Sequence, residues 1–161
     1  MNASSRRACA LLALTGALSA AAPALAACKA DSPLATARWV FEHAYHFASQ
    51  AAPDAQDYLS PALLALLRKE WDCRSSGGAC ALDADPWTEA RAGEPGDPIV
   101  FSLVASPIER RRVAVRYLFE SAPARSELSL VQDAGTQCWV VDDLAGRKDT
   151  SLRRRLQQHV Y

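Results

Sequence analysis

The sequence predicts an α+β fold: N-terminal helices packed on a curved antiparallel sheet of about four strands, with a short C-terminal helix. Three observations predict it. Two Ser-Pro steps, Ser32-Pro33 and Ser60-Pro61, each open an apolar run at helical spacing. From Ile99 to Val141 the pattern changes to alternation with period two, broken by short turns. The chain has 161 residues, 50% of them hydrophobic, which is enough for one packed core and excludes wholesale disorder. With 18 Lys+Arg against 18 Asp+Glu, a bulk nucleic-acid binder is also excluded.

Residues 1–27 read as a secretory signal peptide. They contain no acid, start with Arg6 and Arg7, and run apolar or small from Ala8 to Ala22. Pro23 breaks the run, and Ala24-Leu25-Ala26 supplies small residues for cleavage. The run is too short for a membrane-spanning helix, which needs roughly 20 apolar residues. Cleavage removes two Arg and no acid, leaving 16 basic groups against 18 acidic ones.

Leu25-Ala26-Ala27-Cys28 also matches the bacterial lipobox, in which the Cys is acylated and anchors the chain to a membrane. The competing expectation is a soluble periplasmic form with Cys28 in a disulfide. Cys9 is lost with the signal, so Cys28, Cys73, Cys80 and Cys138 remain, an even number for an exported protein. Cys73 and Cys80 bracket a turn with two glycines and can meet. Cys28 with Cys138 is then the preferred second pair, although four cysteines allow other connectivities. A metal or redox role for these cysteines lacks the C-x-x-C spacing and a neighbouring His pair.

The first helix starts at Pro33, with Leu34, Ala37, Phe41, Ala44, Tyr45 and Ala48 along one side, and is expected to stop before Pro53. The second starts at Pro61, carries Leu63, Leu64, Leu66, Leu67 and Trp71, and is expected to end near Asp72. Arg68, Lys69 and Glu70 fall on its wet side. Residues 72–98 are rich in Gly, Pro, Asp and Ser and read as a long loop, a feature that is often functional. Strands follow at Ile99–Val104, Arg112–Glu120, Ser126–Val131 and Cys138–Val141, and a last helix covers Ser151–Val160. Phe41, Tyr45, Leu64, Val115, Leu130 and Trp139 are expected in the core.

In order and spacing, several segments resemble a bacterial envelope family. They are Ala37-Arg38-Trp39-Val40-Phe41, Leu59-Ser60-Pro61-Ala62-Leu63, Asp83-Ala84-Asp85-Pro86-Trp87, Cys138-Trp139-Val140-Val141-Asp142-Asp143-Leu144 and Ser151-Leu152-Arg153. The family is the domain of unknown function 3828 group of the nuclear-transport-factor-2-like (cystatin-like cone) superfamily. The resemblance spans residues 33–158 and implies one cone-shaped domain over residues 28–161. The superfamily includes enzymes and many non-catalytic binders. This group brings no established activity and no assignment for the paired cysteines.

Candidate chemistry is sparse. His43 and His46, three apart on a helix and near Glu42, suggest a metal site, but His159 is far off in sequence and zinc needs three protein ligands. Asp83, Asp85 and Glu89 offer hard oxygens for calcium without the rest of a calcium loop. Asp142 or Asp143 could act as a general base if Tyr45, Tyr58 or His46 faced it. Arg110 and Arg112 project together on a strand, with Arg116 beyond, and Arg153-Arg154-Arg155 forms a second basic cluster. No nucleophile elbow, phosphate loop or dinucleotide fingerprint is present. No cofactor is expected. The reading is an exported, non-catalytic envelope protein that binds a protein partner or small ligand, including the inhibitor or immunity type. Asp83, Asp85, Trp87, Arg110 and Arg112 are its expected contacts. The alternative is a small cone-fold enzyme using Asp142 or Asp143 as base.

Overall fold

The structure is a computed structural model, and it describes residues 28–161. The signal-peptide reading of residues 1–27 lies outside the described residues. The fold is α+β. Helix α1 spans Pro33–His43 and α2 spans Pro61–Ser76, with a 3-10 turn at Ala55–Asp57 between them. Strands β1 (Gly96–Val104), β2 (Arg110–Phe119), β3 (Ala122–Gln132) and β4 (Trp139–Ala145) follow, then α3 at Leu152–Gln158. The strands form one antiparallel sheet in the order β1-β2-β3-β4. Helix α1 packs on β1, β2 and β4, while α2 and α3 pack on each other and on β4.

The helix starts follow the sequence chemistry. Ser32, Ser60 and Ser151 each accept a backbone N–H of the first turn, from Ala35, Leu63 and Arg154. The ends do not follow it. Helix α1 stops at His43 rather than running on toward Pro53. The carbonyls thus released are used elsewhere: the Trp87 indole donates to the Tyr45 carbonyl at 3.0 Å and the Trp71 indole to the Phe47 carbonyl at 3.2 Å. Helix α2 runs past Asp72 to Ser76, where Gly77 turns it off with φ 72°, a conformation glycine adopts without steric cost.

Glu70 corrects the sequence reading. It was expected on the wet side of α2 and is fully buried. Its carboxylate accepts the backbone N–H of Ala81 at 2.9 Å and Leu82 at 3.1 Å, Arg74 Nε at 3.0 Å and the Tyr161 hydroxyl at 3.2 Å. It ties the loop after α2 and the C-terminal residue to the helix. A buried carboxylate with this many donors has its desolvation offset by charge-assisted hydrogen bonds.

Both disulfides join the expected pairs, Cys28–Cys138 and Cys73–Cys80. The sulfur of Cys28 is thus joined to that of Cys138. On the inner face of the sheet Val113, Val115, Tyr117, Phe119, Leu128 and Leu130 are buried against Val40, Leu63, Leu67 and Leu152. Leu64, Val115 and Leu130 lie in the core as expected; Phe41, Tyr45 and Trp139 pack half-buried at its margin. Strand β3 begins at Ala122, earlier than the alternation suggested, since β2 and β3 meet in a two-residue turn. Its central residues, Glu120 at φ 51° and Ser121 at φ 66°, take the twist-matched geometry without a glycine to signal it.

The outer edge of β4 is covered. Val141 N–H donates to the Tyr58 carbonyl and Ser60 N–H to the Val141 carbonyl, both at 2.8 Å. On its other side β4 bulges against β3. Ser129 faces Asp143 and Leu130 faces Val141, so Asp142 is the extra residue.

The two disulfides should differ in worth. Cys28–Cys138 spans 110 residues and Cys73–Cys80 spans 7. Chain-entropy scaling gives about 5 kcal/mol for the long closure and about 2.5 kcal/mol for the short one. Urea unfolding of the paired Cys→Ser variants should show the Cys28/Cys138 loss as the larger.

All four tyrosines are raised above their usual value of 10.0, burial being the first cause in each: Tyr58 and Tyr161 go to about 12, and Tyr45 and Tyr117 also rise. Above pH 10 the native chain then holds more protons than the unfolded one, so stability falls as pH rises toward the native values. An alkaline absorbance titration should show tyrosinate appearing in the native protein later than in the denatured chain, and together with loss of fold.

Candidate functional site

Asp142 is the extra residue of the β4 bulge and only 4% exposed. Its Oδ1 accepts the Ser60 hydroxyl at 2.8 Å. Its Oδ2 accepts Arg153 at 2.6 Å and Arg110 at 3.0 Å. Four segments thus converge on one carboxylate: the N-cap of α2, the start of β2, the bulge of β4 and the first turn of α3. Asp143 accepts the Ser151 hydroxyl at 2.6 Å and the Arg153 backbone N–H at 2.9 Å, which caps the start of α3. A general base needs a free oxygen within reach of a substrate proton. Both oxygens of Asp142 are bonded within the fold, and none of its bonded partners is Tyr or His. Tyr45 donates instead to Asp85 at 3.1 Å.

The long loop turns inward. Asp85 Oδ1 accepts Trp87 N–H at 2.9 Å, Thr88 N–H at 2.8 Å and the Thr88 hydroxyl at 3.1 Å, a side-chain-built turn. Trp87 has no exposed surface. Its ring stacks on Tyr45 at 5.5 Å and meets Phe41 edge-on at 5.1 Å. Its carbonyl accepts the Tyr117 hydroxyl at 2.9 Å, the Ser126 hydroxyl at 2.7 Å and Arg147 N–H at 3.0 Å. Trp87, expected as a contact for a ligand, is therefore part of the interior, whereas Asp85 is half-buried and lines an open cleft with Tyr45 and His46.

Asp83 is exposed and pairs with Arg91 and Arg155, each at 3.3 Å. The Arg91 guanidinium holds its carboxyl below the usual carboxylate range. Glu89 accepts the Lys148 N–H from the turn after β4. That turn approaches closely, because a side chain at Gly146 would meet the Pro86 carbonyl at 2.5 Å. The three acids of the calcium reading are thus engaged with separate donors. His43 ends α1 and His46 lies beyond it, so the three-residue spacing does not put them on one helical face. Both line an open cleft of about 470 Å³ with Trp39, Tyr45, Asp54 and Tyr58. Among the described residues no group of three or more His, Cys, Asp or Glu is arranged to hold a metal ion.

Arg110 and Arg112 do share the outer face of the sheet. Arg112 pairs with Glu127 at 2.9 Å and also donates to the Ala105 carbonyl at 3.0 Å. The register of β2 and β3 also sets two like charges face to face. Arg116 of β2 stands directly opposite Arg125 of β3. Arg125 leans to Glu127, which therefore serves two arginines, and Arg116 has no side-chain partner among the described residues. Like charges directly opposed across strands are unfavourable. Only the hairpin register, set by the Glu120-Ser121 turn, brings the two together.

Compared with known proteins, the chain matches no family model, no curated protein and no solved structure.

Asp142→Asn should lower stability by about 2–3 kcal/mol, because it leaves two guanidinium groups without their shared countercharge; half-exposed Arg110 limits the cost. Asp143→Asn should cost about 1 kcal/mol, as a helix cap does. Urea denaturation should recover that order. Equal losses, or no loss from Asp142→Asn, would contradict the clamp role.

Proposed function

We propose that this chain is an exported, periplasmic, non-catalytic envelope protein. In this reading it binds a protein partner that presents carboxylates to the outer face of the sheet. The inhibitor or immunity type falls within the same reading. Two disulfides support export to an oxidising compartment. The bonded sulfur of Cys28 favours a soluble form over an acylated one. Membership of the domain of unknown function 3828 group, and the bent cone-like sheet that goes with it, is part of the proposal and rests on the motifs quoted above.

The observation that carries the binding reading is the arginine surplus on the outer face. Glu127 serves Arg112 and Arg125, while Arg116 has no side-chain partner among the described residues and is opposed by a like charge. An incoming carboxylate would relieve that opposition and gain charge-assisted hydrogen bonds. The enzyme alternative has less support, since Asp142 and Asp143 are bonded into the β4 bulge and the α3 cap.

The test compares residues 28–161 with an Arg116→Glu/Arg125→Glu variant as bait in envelope extract, with mass spectrometry of what each retains. The expected result is a stoichiometric partner that elutes as salt is raised and is missing from the variant. A partner held equally by the variant would overturn the outer-face reading. Absence of any partner, together with small-metabolite turnover that Asp142→Asn abolishes, would replace it with the enzyme reading.

A further inference from the structure

The sheet is closed on one side and open on the other. The β4 edge is bridged at Val141 by Tyr58–Ser60, whereas among the described residues β1 has β2 as its one strand partner. Open edges are normally guarded by charge, proline or a bulge. Strand β1 has Pro98 and a register shift, but both sit at its start, between Gly96 and Val100. From Pro98 to Ile108 the sequence carries no charged residue. Val100 is 46% exposed, Leu103 60% and Ile108 69%, and these three make up most of the exposed large hydrophobics among the described residues. Successive residues of a strand point to opposite faces, so Val100 and Leu103 expose the two sides of the strand rather than one face of the sheet.

Charge is distributed along this edge with a direction. Exposed Glu94 precedes the strand, and exposed Asp97 lies at its start. Arg110, Arg111 and Arg112 follow it, with Glu109 as the one acid among them. The Arg112 guanidinium reaches back to the end of β1, where it donates to the Ala105 carbonyl at 3.0 Å. An edge with acids at its start, a neutral middle and a guanidinium of β2 beside its end is complementary to itself when antiparallel.

We propose that β1 is a self-association edge on which a second copy of this chain pairs its own β1 antiparallel. A two-fold axis at Phe101 sets Ile99 opposite Leu103 of the partner copy and Val100 opposite Ser102. It also sets Asp97 opposite Ala105, beside the guanidinium of Arg112, and the symmetry forms this ion pair twice. Adjacent strands lie about 4.8 Å apart, so the facing backbone groups would bond as in the interior of a sheet. The two sheets become one, and the exposed edge apolar groups are buried. This inference is separable from the partner reading above: both use Arg112, but this one uses neither Arg116 nor Arg125, the residues varied in that test.

The test is sedimentation velocity on oxidised residues 28–161 over a concentration series, with hydrogen exchange on the same samples. A monomer–dimer equilibrium is expected, and the β1 amides should gain protection as concentration rises. Leu103→Lys, at a largely exposed position, should raise the dimer dissociation constant at least tenfold while leaving the circular dichroism of the monomer unchanged. Asp97→Arg should weaken the dimer too, and added salt should weaken the wild-type dimer more than this variant. A monomer at every concentration would overturn the proposal. So would a dimer indifferent to Leu103→Lys, or concentration-dependent protection confined to other strands. Loss of the dimer with the extract partner retained, or the reverse, separates this inference from the outer-face reading.

Discussion

Trp87 sits at the centre of the loop that separates the helices from the sheet, and its ring has no contact with water. Burying a ring of this size is among the larger single gains available to a domain, but the indole N–H and the peptide groups beside it must then find partners inside. The indole takes the Tyr45 carbonyl, and the peptide carbonyl takes two hydroxyls from the sheet and one N–H from the turn after β4. Those requirements shape the neighbourhood. Helix α1 ends early, the loop folds back on itself through Asp85, and the turn carrying Gly146 is drawn against it. A segment whose composition suggests a surface loop becomes the element that joins α1 to the sheet.

Two carboxylates do comparable work elsewhere. Glu70 gathers the chain after α2 together with the C-terminal tyrosine. Asp142 gathers the starts of α2, β2 and α3 around the bulge in β4. In both cases an acid removed from water is matched by several donors from distant segments. This is the arrangement under which a buried charge specifies one geometry rather than simply costing free energy. It also leaves both oxygens of each of these acids engaged by partners within the fold.

What the interior does not use lies on the sheet. Its outer face carries more arginine than acid, and its free edge is uncharged between an acidic and a basic end. The two features have different physical consequences. Charge on a face acts over a distance and gives way to salt, whereas an edge acts only on contact, through backbone groups that any matching strand can meet. They lie on one sheet and meet at Arg112.

The sequence by itself determined the fold class, the element order, the serine caps and the inward face of each central strand, because each depends on residues a few positions apart. It also narrowed the cysteine pairing, since only one short bridge was sterically easy. It misread the ends of α1 and α2, the side on which Glu70 lies, and the direction in which Trp87 turns. Each of those depends on partners from elsewhere in the chain: the Tyr45 carbonyl for Trp87, the Ala81 and Leu82 amides for Glu70, two arginines and a serine for Asp142. The opposition of Arg116 to Arg125 and the freedom of the β1 edge are of the same kind. Strand register and sheet order decide them, and no local pattern of residues encodes either.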